Sequence, residues 1–224
     1  MMTTIAIVEY GTGNHRSVLN ALRMVAPAAR AVITRDRQTI LEADRVILPG
    51  QGAMHSCMAS LKTGHLHDTL LEAARNKPFL GICIGLQMLF EHSDEGQTPG
   101  LGLIKGDVHG LRPSIETAAR AQKHAPTPTN STSLFKIPHM GWNRVHQTQA
   151  HPLWEKIAQD TAFYFVHSYY VEPTDAKTRT AETSYGITFT SAVAQDNIFA
   201  VQFHPEKSAT AGLQLFRNFV DWNL

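Results

Sequence analysis

Cysteine is scarce in this chain: Cys57 and Cys83 are the two among 224 residues. Two thiols in a chain of this length build no disulfide framework, which points to a reducing compartment. Charge of one sign is missing as well. The formal net charge is +1 and charged residues make up only 17%, so composition gives no electrostatic reason to expect nucleic acid or an anionic membrane as partner. The longest apolar run, Pro78 to Phe90, is too short to span a bilayer and is interrupted by Gln87. No basic segment leads into an apolar core at Met1-Met2-Thr3-Thr4-Ile5, so no secretory leader is expected. There is no His-Glu-x-x-His and no Cys-x-x-Cys, and His65, His67 and His151 lack partners at zinc spacing. Neither a metal nor a cofactor is expected. Gly11-x-Gly13 does not extend to a dinucleotide loop, because Arg16 stands where a third glycine is needed and no Walker lysine follows. What remains is a soluble, cytoplasmic chain with 43% hydrophobic residues, expected to form one domain over residues 1–224.

The first half alternates strand and helix signals. Thr4–Val8, Ala31–Ile33, Arg45–Leu48 and Phe79–Ile82 read as strands. Helical spacing follows at Val18, Leu22 and Val25, over Gln38–Ala43, from Gly52 to Asn76, and over Ile84–Phe90. That alternation predicts a parallel sheet covered on both faces. From Leu101 onward strand signals follow one another, at Gly102–His109, Lys136–Val145, Phe163–Val166, Ser191–Ala194 and Ile198–Phe203. A closing helix over Ala209–Val220 carries Leu213, Phe216 and Phe219. The second half is therefore expected to add antiparallel or mixed sheet. Pro113 to Ser133, rich in Ala, Thr, Pro and Ser, reads as a long exposed loop.

Three tracts carry chemistry. In Phe79-Leu80-Gly81-Ile82-Cys83-Ile84-Gly85-Leu86-Gln87, a strand runs through Gly-x-Cys-x-Gly into a helix. This is the nucleophile elbow written with cysteine, in which small neighbours permit a strained turn and the helix start favours a thiolate. In Val201-Gln202-Phe203-His204-Pro205-Glu206, a strand delivers His204 to the sheet edge. Glu206, two residues on, projects to the same side, where it can orient the imidazole. In Leu48-Pro49-Gly50-Gln51-Gly52, a glycine turn ends another parallel strand and can aim Gly52 N–H at an oxyanion, with Ile84 N–H as the second donor. Cys57 is expected to pack as a small hydrophobe on a helix.

Together these tracts resemble the class I glutamine amidotransferases. Within them, Val8-Glu9-Tyr10-Gly11-Thr12-Gly13-Asn14, Pro138-His139-Met140-Gly141-Trp142-Asn143 and Phe163-Tyr164-Phe165-Val166-His167-Ser168-Tyr169-Tyr170 resemble the glutaminase subunits of imidazole glycerol phosphate synthases. The resemblance implies an α/β three-layer sandwich, with a central, mixed, mostly parallel sheet, helices on both faces and a small antiparallel extension. It implies Cys83 as nucleophile, His204 as general acid and base, and Glu206 as its orienting partner. It puts Gly50, Gln87, Glu95, His167, Ser168 and Tyr169 against the substrate, L-glutamine, and Asn14, Trp142 and Lys207 at the interface of a heterodimer. The partner it implies is a barrel-shaped cyclase subunit that uses the released ammonia in histidine biosynthesis. Glu9, His15 and Gln51 depart from the family's usual aspartate, leucine and valine, and the 113–133 stretch is longer than usual. The elbow and the triad are shared with paralogues that feed other synthases, with non-catalytic members of the fold and with related cysteine hydrolases. The residues alone leave those readings open.

Overall fold

Strands with no polar face sit at the centre of the molecule. In the computed structural model, which describes residues 2–11, 13–121 and 135–224, β1 (Thr4–Val8), β3 (Arg45–Gly50) and β4 (Phe79–Cys83) are almost wholly buried. Such strands read as continuous apolar runs because helices cover both faces of a parallel sheet. Between them lie α1 (His15–Val25), β2 (Arg30–Thr34), α2 (Arg37–Glu42), α3 (Met54–Thr63) and α4 (His67–Asn76). Helix α1 buries Val18, Ala21 and Leu22 at the spacing of one helical face. Asp36 caps α2 by accepting the Thr39 N–H at 2.8 Å.

After β4 come α5 (Ile84–Gln87), β5 (His92–Ser93), β6 (Thr98–Pro99), β7 (Gly106–Gly110) and α6 (Leu111–Ala121). The second half continues with β8 (His139–Gln147), β9 (Thr161–His167), β10 (Tyr169–Pro173), β11 (Arg179–Tyr185), β12 (Ile187–Gln195), β13 (Ile198–Val201) and α7 (Ala209–Asp221). The main sheet runs β2-β1-β3-β4-β13-β12-β10-β7-β5-β6, with β11, β8 and β9 continuing from β12. From β2 to β13 every neighbour is parallel; β13 to β12 to β10 to β7 is antiparallel. This is the α/β architecture with a mixed sheet.

One pairing positions the site. Strand β13 returns from the far end of the sequence to lie parallel to β4, with Val201 opposite Ile82, and Gly50 at the end of β3 stands opposite Cys83. Three parallel strands thus discharge their carboxyl ends at one edge, where ligands bind in open α/β sheets. Behind that edge Phe163, Phe165, Phe203 and Phe216 fill the space between β9, β13 and α7. The Phe163 and Phe203 rings stand 4.1 Å apart.

Two expectations require correction. The helix after the elbow stops at Gln87 rather than Phe90, because Met88 to Phe90 turn back to let Leu101 and Leu103 pair with them. The expected loop at 113–133 begins as helix: α6 runs to Ala121, held by Ile115 against the core and by alanines with high helix propensity. Pro113 falls in its first turn, where no N–H is required. The rest of that stretch lies outside the described residues. No described helix is long and apolar enough to cross a membrane.

Candidate active site

Cys83 ends β4 with φ 56° and ψ −109°, a conformation that a side chain makes costly. Packing dictates the glycines on either side. A Cβ on Gly81 would stand 2.9 Å from the Ala200 Cβ, and one on Gly85 would stand 1.8 Å from the Leu48 carbonyl oxygen. The elbow is therefore a wedge between β3 and β13, and the strained residue is the one with room for a side chain. Its sulfur lies 3.8 Å from the Val166 carbonyl and 3.7 Å from Gln202 Nε2. Since α5 is a single turn, the helix contributes less positive potential here than the expected longer one.

Past β13, Phe203 plunges into the core and the His204 N–H donates to the Tyr164 carbonyl at 2.8 Å, which carries the chain to the sheet edge. The turn Pro205–Lys207 then folds Glu206 back under the imidazole. His204 Nδ1 meets Glu206 Oε1 at 2.8 Å, with the two side chains only 2% and 1% exposed. Burial pushes the imidazole down, but Cys83 and Glu206 together outweigh it and hold His204 up at about 10. Among the described residues Nε2 has no hydrogen-bond partner, and Cys83 is the group that acts on it. Asn14 donates to the same Glu206 oxygen at 3.2 Å.

The turn after β3 is pinned at three points. Tyr10 Oη donates to the Pro49 carbonyl at 2.7 Å, Cys57 Sγ donates to the Gln51 carbonyl at 3.4 Å, and Glu95 Oε2 accepts the Met54 N–H at 2.7 Å. Burial, and then Cys57, raise Tyr10 well above the ordinary tyrosine value, so its O–H stays available to donate. With the Gln51 carbonyl turned to Cys57, the planar trans peptide sends the Gly52 N–H to the opposite side. Cys57 packs on α3 in the core, as expected from sequence, and adds this bond to the turn.

A cavity of about 360 Å³ opens in front of these groups. Gly52, Cys83, Ile84 and His204 form one end of it, and Gln87, Glu95, His167, Ser168 and Tyr169 form its other walls. Gln87 Nε2 donates to the Tyr169 carbonyl and to Gln202 Oε1, each at 3.0 Å, while its own Oε1 is buried and unpartnered among the described residues. Burial drives His167 down to about 3. Its Nδ1–H donates to the Tyr169 carbonyl at 2.8 Å, and its Nε2 is left to accept from His139 Nδ1 at 2.8 Å. His167 is accordingly a neutral wall with both nitrogens engaged. Gly50 does not line the cavity: it lies beneath, where a Cβ would meet Tyr10 Oη at 2.6 Å and the Ile84 Cβ at 2.7 Å.

The three expected interface residues separate. Asn14 sits behind Glu206. Trp142, 55% exposed on β8, stands opposite Tyr164 on β9, with their rings 6.1 Å apart. Lys207 borders the cavity and holds Nζ 5.8 Å from the centre of the Tyr164 ring, so it joins the cavity mouth to the exposed Trp142 edge. Tyr10, Cys57, His139 and Gln202 were not singled out from sequence as site residues. Tyr10, His139 and Gln202 each stand inside a tract quoted above, Gln202 two residues before His204, whereas Cys57 stands in none. Among the described residues no group of His, Cys, Asp and Glu side chains could hold a metal ion.

Residues 6–222 match the family model of class-I glutamine amidotransferases. The chain is 52% identical, over 99% of its length and 99% of the relative's, to imidazole glycerol phosphate synthase subunit HisH of Nitrosospira multiformis. It is 51% identical, with the same coverage, to the subunit of that name from Aromatoleum aromaticum. Among solved structures, PurLQS from Thermotoga maritima matches with a TM-score of 0.68 at 18% identity, covering 99% of both chains, a likeness of fold.

Proposed function

The chain belongs to the class-I glutamine amidotransferase family, and from that premise we propose that it hydrolyses L-glutamine and hands the ammonia to the cyclase subunit of an imidazole glycerol phosphate synthase, in histidine biosynthesis. The observation that carries the chemistry is a strained cysteine beside a buried His204–Glu206 pair on the wall of a glutamine-sized cavity. The whole chain acts as one amidotransferase domain, in the cytoplasm, where the thiol stays reduced.

Cys83 and His204 start as thiolate and imidazolium. The sulfur attacks Cδ of the substrate carboxamide, forming the S–C bond and placing negative charge on the amide oxygen. The N–H groups of Gly52 and Ile84 receive that oxyanion. His204 gives its Nε2 proton to the nitrogen, the C–N bond breaks, and ammonia leaves a thioester on Cys83. Water then adds to the same carbon while His204 takes its proton, and the thiolate departs as glutamate is released. Glu206 holds the imidazole and balances its charge through both steps.

Gln87 Oε1, a buried acceptor awaiting a donor, suits the α-ammonium of glutamine, and the Glu95 carboxylate supports that charge from the next wall. The exposed edge of Trp142, Tyr164 and Lys207 is where the cyclase docks, so the cavity mouth opens toward the recipient of ammonia. Asn14 serves the triad directly, through Glu206.

Replacing Cys83 by Ala tests the reading. Glutamine-dependent synthesis by the complex should vanish while ammonia-dependent synthesis persists. Glutamine hydrolysis surviving in that variant would overturn the thioester mechanism.

A further inference from the structure

Besides His204 and the Val166 carbonyl, the Cys83 sulfur has a further polar neighbour, and it is a donor. Gln202, fully buried, directs Nε2 at it from 3.7 Å. The two ends of a carboxamide look alike, so this direction needs support from the surrounding bonds. The Tyr169 carbonyl can only accept, and Gln87 meets it at 3.0 Å, so the Gln87 atom there is nitrogen. That nitrogen also meets Gln202 at 3.0 Å, which makes the facing Gln202 atom oxygen. Gln202 Oε1 is then occupied, and its NH2 group is the end left for Cys83. Turned the other way, Gln202 would set nitrogen against nitrogen and oxygen against a thiolate. The carbonyl that fixes this order is itself held from the other side by His167 Nδ1–H, and His167 by His139.

We propose that Gln202 is a further catalytic residue, whose Nε2–H donates to Cys83 Sγ and stabilises the thiolate both when it attacks glutamine and when it leaves the acyl group. The role rests on the reading of Cys83 as the nucleophile. Gln202 transfers no proton and forms no covalent bond. Its value is constancy: His204 loses its charge on protonating ammonia, whereas an amide donor is present whatever the protonation state of the imidazole. A hydrogen bond to an ionised sulfur is stronger than one between neutral groups, and a donor already in place needs no reorganisation during the reaction.

Gln202 could instead serve only to hold Gln87, and two variants separate the roles. Gln202→Met keeps the length and removes every polar contact; Gln202→Glu keeps an oxygen for Gln87 and removes the N–H. Each is measured in complex with the cyclase partner, with co-elution reporting that the variant is folded. The readouts are kcat and KM for glutamine, and the pH profile of Cys83 alkylation by iodoacetamide, with Cys83→Ala as blank. Both variants should lose about ten- to hundredfold in kcat, the range expected for a hydrogen bond to a charged group. Their alkylation profiles should move to higher pH, and KM should stay close to the parent's in Gln202→Glu, which keeps the bond to Gln87. Unchanged kcat and alkylation profile in both variants would overturn the role. A raised KM with an unmoved alkylation profile would assign Gln202 to holding Gln87 and overturn it too. Failure of the thioester reading itself would show separately, as glutamine hydrolysis by Cys83→Ala.

Discussion

Asn14 and His204 share one oxygen. Glu206 Oε1 accepts from the Asn14 side chain at 3.2 Å and meets His204 Nδ1 at 2.8 Å, although Asn14 lies at the opposite end of the sequence. The bond ties the turn before α1 to the triad, so any movement of that turn reaches the imidazole through one carboxylate. Asn14→Ala should lower kcat for glutamine about tenfold with little change in KM, the cost of a hydrogen bond to a charged group. Asn14→Asp should be worse, since it sets a second carboxylate against a buried one. Steady-state kinetics on the complex decide this. Loss of cyclase affinity with unaltered kcat at saturating partner would instead return Asn14 to the interface alone.

The turn proposed to receive the oxyanion is held by donors outside it. Tyr10→Phe strips the Pro49 carbonyl of its buried donor and should cost about tenfold in kcat. Cys57→Ala removes a weaker S–H bond to Gln51 and should cost about threefold, with Cys57→Ser restoring most of it. KM should hardly move in either, because in the proposed mechanism the Gly52 N–H acts on the oxyanion rather than on the substrate. Glutamine kinetics on the three variants test this, and a thiol-specific loss that serine does not restore would sink the positioning role of Cys57.

How much of this was legible in the sequence depended on the kind of residue. The βα half was readable because β1, β3 and β4 are continuous apolar runs separated by helical spacing. Cys83, His204 and Glu206 stand in short contiguous tracts. Strand β11 was missed because Arg-Thr-Ala-Glu-Thr-Ser-Tyr buries small or polar residues such as Thr180, Ala181 and Thr183, and β10 because Tyr-Tyr-Val-Glu-Pro buries Val171 as its one aliphatic residue before a proline. The supporting groups were hidden for another reason. Tyr10 and Cys57 reach the site through bonds to the Pro49 and Gln51 carbonyls, and a bond to a backbone carbonyl leaves no pattern in composition. Asn14 was named from the resemblance as an interface residue, but its bond to Glu206, 192 residues away, was not legible.

The elbow's glycines predict a steep stability response. Gly85→Ala would drive a methyl group into the Leu48 carbonyl at 1.8 Å, where backbone cannot yield without parting β3 from α5. It should cost more than about 3 kcal/mol, or abolish folding. Gly81→Ala meets the Ala200 methyl at 2.9 Å, a softer contact between two strands, and should cost about 1–3 kcal/mol. Urea unfolding of the two variants gives the order, and an equal loss in both would contradict the wedge geometry.

Histidines set opposite limits to stability on the two sides of neutrality. His204, raised from 6.5 to about 10, favours the folded state in its charged form. That contribution is complete below pH 6.5 and is lost as the pH rises through about 10. His139 and His151, lowered by burial to about 4, and His167, lowered to about 3, are folded as neutral rings. Theirs is complete above pH 6.5 and is lost as the pH falls toward 4 and 3, since the unfolded chain takes up protons that the folded chain refuses. Urea midpoints measured across pH should therefore peak near neutrality and fall on both sides. His151→Asn keeps an acceptor for the Leu153 N–H but does not titrate. It should be less stable at neutral pH, having lost its packing on Phe199 and Trp222, yet show a shallower fall in acid. Cys83→Ala removes one of the two groups that raise His204, so its alkaline fall should begin at lower pH. An acid slope in His151→Asn as steep as the parent's would mean that His151 is not held neutral by the fold.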